Sequence, residues 1–400
     1  MELNGAVGSS LERASTSFPL RSGSAQVFSR ACDVKPALWD AGFGGGHKDF
    51  EYYRLIEDTQ KAGFSYRYLV LRDSGGEPIA LQPLIMVDQD LSASANSAIR
   101  RCVEVGRRII PRLLRTRMLM AGCLVGDGKL GLVDKAAAES TTSLLSEALN
   151  IYARSEKIAL ITIKDFPIEA RELMQPLADS GYTRLDSYPS LTLDLRFNSF
   201  DEYMESRLSK VTRKGLRRKL RESAKVSPPI VLEVVQDCSD IIDEIYPLYL
   251  AVAKRSAVSF EVFTPEYFLE AGRRMPDRHR YFVWRQAGKA VAFSFCTIWE
   301  DTIYDNDIGL DYDVAHELNL YYVTFRDLIE WALAHGFRCY CSAPFNYDAK
   351  LHLRLQLVPL DLYVRHTSAI INAFVRRIAP YFSPANSDPV LREQQREIKP

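Results

Sequence analysis

The stretch Arg67–Ala80, RYLVLRDSGGEPIA, returns at Arg280–Ala292 as RYFVWRQAGKAVA, one residue shorter in the turn. Each copy alternates apolar and polar residues, passes a glycine-containing turn and resumes as an apolar strand, the pattern of a β-hairpin. Downstream of each comes a helical segment and then a strand: LLSEALNIYARSEKIALITIKDFP from Leu144, and FRDLIEWALAHGFRCYCSAPF from Phe325. In the second, Leu328, Trp331, Ala332 and Ala334 to His335 keep helical spacing, Gly336 supplies the stop, and Phe337–Cys341 alternates as a strand. A hairpin, helix and strand used twice constrain this chain of 400 residues to two α/β domains of one architecture, and 47% hydrophobic residues suffice for two cores.

The seam falls where LTLDL (Leu191–Leu195) closes a strand. Ser199 with Glu202 matches a capping box, so a helix is expected from about Phe200 to just before Pro228 and Pro229. Through it runs RLSKVTRKGLRRKLRESAK, Arg207–Lys225, with nine basic residues and one acid in a chain of zero formal net charge. Arg207, Lys210, Lys214, Arg217 and Arg221 share one face, and Leu208, Val211, Leu216 and Leu220 form a thinner apolar stripe. A positive face without i, i+4 acids, set between two domains, would focus its potential on phosphates.

A second basic segment, Arg100–Arg117, holds seven arginines against Glu104. Its core, RRIIPRLLR, interleaves them with Ile109, Ile110, Leu113 and Leu114, which suits a membrane interface or partner surface as well as a phosphate. The resulting division is a Ser- and Gly-rich disordered tail at 1–25, a first domain at 26–196, a basic linker helix at 197–227, a second domain at 228–366, and a C-terminal helix and tail at 367–400.

Seven cysteines fit no paired ligand spacing, and no N-terminal apolar run reaches the length of a signal peptide or membrane span. A soluble, cytoplasmic protein with reduced thiols is expected. GFGGGH at Gly42–His47 lacks the third glycine of the dinucleotide fingerprint, and neither a Walker loop nor a G-x-S-x-G elbow occurs. HELNL at His316–Leu320 has leucine where a zincin needs its second histidine. Cys339 and Cys341 share a strand face without a second pair and read as buried core thiols. Asp305, Asp307, Asp311 and Asp313 form two D-x-D pairs, read as a strand end and turn, and no metal site is expected.

The second half, from the basic helix through YFVWRQAGKAVAFSFCTIWEDTIYDNDIGLD and NLYYVTFRDLIEWALAHGF to FNYDAKLHLRLQLVPLDLYVRH, resembles the GNAT-type acetyltransferase domain of CelD-like cellulose-biosynthesis proteins and, more distantly, the FemABX aminoacyltransferases. The likeness runs from about Phe200 to His366, and more loosely over Phe50 to Leu195. It implies tandem GNAT-like domains, each a mixed, mostly antiparallel sheet flanked by helices, joined by the basic helix, with the first degenerate and the second catalytic. It further implies acyl transfer to an amine or hydroxyl, with acyl-CoA, in particular acetyl-CoA, as co-substrate and no tightly bound cofactor.

Such a site needs a splayed strand pair whose unpaired backbone groups hold the acyl carbonyl and its carrier arm. That wedge is expected between Phe293–Thr297 and Tyr304–Gly309, making Phe295, Cys296 and Thr297 donor-binding. Asp305 and Asp307 are base candidates, one facing the cleft and one away, and Tyr347 would protonate the leaving group. Lys350 matches the lysine of a Tyr-x-x-Lys motif and by resemblance stabilises charge near the acyl group. Arg217 corresponds loosely to a phosphate-contacting arginine, with Arg213 and Lys214 beside it.

The pyrophosphate loop Q/R-x-x-G-x-G/A is absent, and LDYDVAHELN stands in its place, which keeps tRNA open as the carrier. Expected partners are a phosphate-bearing donor, a saccharide or cell-envelope precursor, and the inner face of a membrane through Arg100–Arg117. The alternative class is a non-catalytic module that attaches to an anionic membrane or a polysaccharide-synthesis complex through that segment and Ile370–Ile378.

Overall fold

The computed structural model describes residues 15–90, 92, 97–108, 115–256 and 261–398. The first half contributes β1 (Ser15–Leu20), β2 (Gly23–Phe28), β3 (Phe64–Arg72), β4 (Pro78–Asp90), β5 (Arg115–Ala121), β6 (Gly131–Leu132), β7 (Leu160–Pro167), β8 (Thr183–Asp186) and β9 (Ser190–Asp194). The second contributes β10 (Val231–Val235), β11 (His279–Gln286), β12 (Lys289–Trp299), β13 (Thr302–Leu310), β14 (Cys339–Ser342), β15 (Gln356–Val358) and β16 (Leu360–His366).

These strands build two mixed sheets, in the order β1-β2-β3-β4-β5-β7-β16-β8, with β6 on β4, and β10-β11-β12-β13-β14-β9-β15. Both sheets are antiparallel except for one parallel pair each, β5 with β7 and β13 with β14. Each parallel pair is joined through a crossover helix, Ala138–Ser155 in the first unit and Leu320–Ala334 in the second. The repeated hairpins, β3–β4 and β11–β12, occupy matching places beside them. Their turns differ as the sequence differs: Ala287 and Gly288, both at positive φ, make a two-residue connection in the second, whereas Asp73 to Glu77 closes a longer loop in the first.

The boundary between the units is not a cut in the sequence. β9, from the first half, pairs with β14 and β15 in the second sheet, while β16, from the second half, lies between β7 and β8 in the first. The expected spans 26–196 and 228–366 therefore each give one strand to the other. Residues 15–25, read from composition as tail, form β1 and the start of β2 instead, because Ser15–Leu20 and Gly23–Phe28 satisfy each other's backbone groups along a full antiparallel ladder. Residues 1–14 lie outside the described residues, as do Ile109, Ile110, Leu113 and Leu114 of the second basic segment.

One apolar cluster crosses between the units. Trp39, Tyr53, Met120 and Leu124 pack in it with Ile245, Tyr249, Phe263, Tyr267, Phe293 and Phe295. Polar contacts rim it: Arg274 to Asp58 and Arg278 to Asp49, each 2.6 Å, and Gln60 Nε2 donating to Thr264 Oγ1 at 3.2 Å. A shared core with charged pairs at its edge fixes the two sheets against each other.

The basic stretch is two helices rather than one, Phe200–Arg207 and Lys210–Ser223. Ser199 Oγ accepts from Glu202 N as expected, while Glu202 accepts from Asn198 N and Nδ2, one residue before the cap, rather than from Ser199 N. Leu208 is then extended and buried, and Ser209 caps a new helix by accepting from Thr212 N. Leu216 and Leu220 pack beneath the second sheet, Ser223 Oγ donates to Leu318 O, and Val211 stays 83% exposed.

Candidate functional site

β13 holds the candidate residues, and a bulge decides where they point. Phe295 pairs with Asp307 and Cys296 with Asp305, so Asn306 is an extra residue in β13. Regular alternation would send two residues at i, i+2 to one face; the bulge sends Asp305 and Asp307 to opposite faces. Asp305 follows Ser294 and Cys296, whose side chains it accepts from at 2.9 and 3.8 Å. Asp307 follows Phe295 into the cluster shared by both units, beside Tyr249 and Tyr267.

The sheet opens just past Asp305. β13 and β14 run parallel only over Thr302–Asp305 and Cys339–Ser342, with Ala343 N donating to Asp305 O at 3.3 Å as the last rung. Beyond it β13 continues to Leu310 with β12 alone, and the edge it turned toward β14 has no strand neighbour among the described residues. The wedge therefore lies between β13 and β14. It does not lie between Phe293–Thr297 and Tyr304–Gly309, where β12 and β13 pair without a gap from Ala292↔Leu310 to Trp299↔Thr302. Phe295, Cys296 and Thr297, paired on one side to β11 and on the other to β13, have no backbone groups left for a donor.

At the wedge floor Tyr340 Oη donates to Asp305 Oδ2 at 2.8 Å. The Lys350 ammonium, delivered by the helix Tyr347–His352, lies within Coulomb range of Asp305 and donates to Ala343 O at 2.6 Å. Burial pushes the Lys350 ammonium down to about 8, against the pull of Asp305. Burial also pushes Asp305 up, opposed by hydrogen bonds from Tyr340 and Ser294 and by the lysine's charge. Tyr347 does not join them: it is buried and donates to Pro189 O at 2.9 Å, which ties the phenol to the end of the loop before β9.

On the other face Asp307 stands apart from any counter-ion among the described residues. Its Oδ2 is buried and meets no hydrogen-bond partner there. Burial first, then the neighbouring Glu261 and Asp305 carboxylates, push it up to about 8. Glu261 is itself pushed up to about 7 by burial, with Lys164 of the first unit opposing the rise and Asp165 adding to it. Asp165 in turn accepts from Lys164 and from Ser187. Two carboxyl groups whose burial favours the protonated form, one from a strand and one from a loop, lie within electrostatic range of each other where the units meet.

Sequence reasoning brought Asp305 and Lys350 together and missed Tyr340, Ser294 and Glu261. Tyr340 was readable, since in FRCYCS it alternates with the two cysteines and must face away from them. Nothing in the sequence near Glu261 marks it, because its neighbours Asp307 and Lys164 come from distant strands. Cys339 and Cys341 are half-buried rather than core residues, their thiols 3.8 Å apart with Thr192 Oγ1 3.1 Å from the first.

The basic face is less free than its spacing suggests. Arg217 pairs with Glu205 at 3.1 Å and Asp201 at 3.3 Å, acids one helix earlier rather than at i, i+4. Arg213 Nη1 donates to Glu205 O at 3.1 Å, and Lys219 sits 3.6 Å over the Tyr322 ring. Lys214 lies on the exposed side of the same helix. Asp311, the third D-x-D carboxylate, accepts from Lys289 at 2.7 Å.

Residues 210–350 match the family model described as an acetyltransferase (GNAT) domain. The match spans β10 to β14, the wedge and every candidate residue from Arg213 to Lys350. The whole architecture is similar to that of FemX, with a TM-score of 0.51 at 11% identity over 82% of this chain and 94% of that one, a likeness of fold. A tandem GNAT protein from the clavulanic acid biosynthesis pathway superposes with a TM-score of 0.46 at 11% identity, over 79% of this chain and 87% of that one. Among curated proteins, the Mycobacterium tuberculosis protein named "Putative 8-amino-7-oxononanoate synthase 2" is 21% identical over 328 residues. That match takes in 80% of this chain, which spans 42% of the relative's length. The match to a GNAT domain model over 210–350 and the FemX-like two-sheet fold agree with the GNAT-like fold read from the sequence, and neither bears on the CelD-like type.

Proposed function

We propose that this chain transfers an acyl group from acyl-CoA to an amine or hydroxyl, with a saccharide or cell-envelope precursor as the acceptor. The observation that carries the reading is the wedge between β13 and β14, which opens inside the GNAT-matched span beside the bulge that turns Asp307 toward the other unit. The edge of β13 from Asn306 to Leu310 would hold the donor's carrier arm by backbone hydrogen bonds and polarise the acyl carbonyl. When bound, acyl-CoA supplies the activated thioester.

Asp307 is the proton acceptor in this reading. The acceptor's nitrogen or oxygen forms the new bond to the acyl carbon as its proton passes to Asp307, and the C–S bond breaks to release thiol. A carboxyl group held at about 8 is ionised in only a minor fraction at neutral pH but is a strong base when it is. Lys350, beside Asp305, sets a positive charge at the wedge floor that stabilises negative charge developing on the acyl oxygen. With Tyr347 tied to Pro189, the leaving thiolate draws its proton from solvent or from Lys350.

A second donor class, aminoacyl-tRNA, stays open because the glycine-rich pyrophosphate loop is absent and Leu310–Asn319 stands in its place. Thermal unfolding and thiol release separate the donors. Acetyl-CoA or a longer acyl-CoA at about 100 times its dissociation constant adds roughly 2.7 kcal/mol of stability. The expected result is a raised Tm and thiol release that requires an added amine, amino sugar or hydroxyl compound. A protein that melts cooperatively, with neither a shift nor thiol release for any acyl-CoA, refutes that donor.

A further inference from the structure

The topology brings two segments 270 residues apart in sequence to one edge of the first sheet. β5 and β7 begin at that edge, and β4 and β16 end there: Asp90 pairs with Arg115, Met118 with Leu160, and Leu160 with His366. The helix Ser97–Gly106 is the next element described after β4, and the helix Ala369–Ile378 follows β16. Both are thus set beside the same rim.

The helix Ala369–Ile378 is anchored on one side and apolar on the other. Asn372 is buried, its Oδ1 accepting from His366 N at 2.8 Å and its Nδ2 donating to Gly181 O at 2.9 Å. Val375, on the same side, packs against Val87, Met118, Leu160 and Val364. The anchored side is therefore fixed by polar and apolar contacts together. On the opposite side Ile370 is 85% exposed, Phe374 62% and, one turn past the helix, Tyr381 68%, with Ile371 beside them. Among the described residues, the isoleucines and phenylalanine that this helix points at solvent, having buried its other face, cover nothing.

The charge around this stripe is predominantly positive; the exposed acids on the rim are Asp88, opposite Arg117, and Glu104 on the helix Ser97–Gly106. Arg376 and Arg377 are exposed at its C-terminal end, Arg154 donates to Thr367 O just before its first turn, and Arg365 precedes it on β16. Along the rim Arg115 and Arg117 are exposed on β5, and Arg101 and Arg108 on and just after the helix Ser97–Gly106. Asp90 is there too, but Arg107 at 2.6 Å and Arg115 at 3.7 Å already neutralise it. An apolar stripe with an aromatic ring at its edge, framed by arginines, is complementary to a surface that offers hydrocarbon below and negative charge above.

We propose that this edge docks on an anionic lipid bilayer, with Ile370, Phe374 and Tyr381 entering the interface and the arginines of both segments pairing with lipid phosphates. The proposal does not depend on which donor or acceptor the wedge takes.

Vesicle co-sedimentation of the full chain tests it, with phosphatidylcholine vesicles and with phosphatidylcholine mixed with phosphatidylglycerol. The expected result is binding to the mixed vesicles that weakens as salt rises and is absent with phosphatidylcholine alone. Ile370→Ser with Phe374→Ser, and separately Arg376→Glu with Arg377→Glu, should each lower partitioning roughly tenfold or more. Unchanged melting and far-UV circular dichroism would confirm that these exposed substitutions leave the fold intact. Wild-type protein that stays in the supernatant with mixed vesicles at low salt overturns the proposal. So does binding that neither double variant weakens, and so does a dimer in sedimentation velocity that Phe374→Ser dissolves, which would make a second copy the occupant.

Discussion

Asp307→Asn should stabilise the protein at neutral pH while removing its activity. The folded chain holds a proton on Asp307 until about pH 8, whereas the unfolded chain releases it near the ordinary value of 3.8. The native state thus binds the extra proton, and stability falls as pH rises from about 4 to about 8, with no cost below that window and a constant one above it. At about 1.4 kcal/mol per pH unit, the gap between 3.8 and an assay at pH 7 costs about 4 kcal/mol. Water penetration and relaxation around a half-buried residue reduce this to about 2 kcal/mol.

Asparagine has the same shape and cannot ionise, so urea midpoints should show the variant ahead of wild type by about 2 kcal/mol at pH 7, about 1 kcal/mol at pH 5, and level with it below pH 4. Acyl transfer by the variant should fall by about 10²-fold or more. Wild-type turnover should climb with pH toward 8 as the carboxylate forms. A stability difference that does not change with pH, or a variant less stable at pH 7 than at pH 5 relative to wild type, would refute the claim that Asp307 is held uncharged. Full activity in the variant would refute its role as the proton acceptor.

Three further outcomes follow from the geometry. Lys350→Met should lose at least tenfold in transfer rate, as expected for one charged hydrogen-bonding group. Because burial lowers the lysine's folded value to about 8, wild-type stability should rise between about pH 8 and 10, and Tm at the two pH values should show no such rise in the variant. Asp361 is fully buried and held by Arg171 through two hydrogen bonds of 2.6 and 2.8 Å, with Arg184 at 3.4 Å, so Asp361→Ala should cost roughly 3–5 kcal/mol in urea unfolding. Gly128→Ala places a methyl group 2.4 Å from Lys164 O and 2.8 Å from the Phe166 ring, and should cost roughly 1–3 kcal/mol while shifting Asp165 and its neighbours enough to change KM.

What the sequence could disclose was whatever is written locally. The hairpin echo found β3–β4 and β11–β12, because alternation and turn glycines are properties of a dozen adjacent residues. The Ser199 cap was legible for the same reason. The exchange of β9 and β16 was not, since neither strand differs in composition from one that stays at home; which sheet a five-residue apolar run joins is settled by packing. Nor was the bulge at Asn306. A single inserted residue leaves the apolar pattern of β13 unbroken, yet it alone separates Asp305 from Asp307. Arg217 looked unpaired for a related reason: its acids, Asp201 and Glu205, belong to a second helix that exists only because Leu208 is extended.

The exchanged strands also bear on how the protein is made. The first sheet has a gap between β7 and β8 until Leu360–His366 has been synthesised, almost two hundred residues after Pro167. At about 5–20 residues per second, that gap stays open for roughly 10–40 s on the ribosome. During that interval β7 and β8 present unpaired edges to the cell, and the first unit cannot close before the second has been translated. The first sheet is therefore completed only by β16, and cutting the gene at the apparent seam would leave both halves with an open edge.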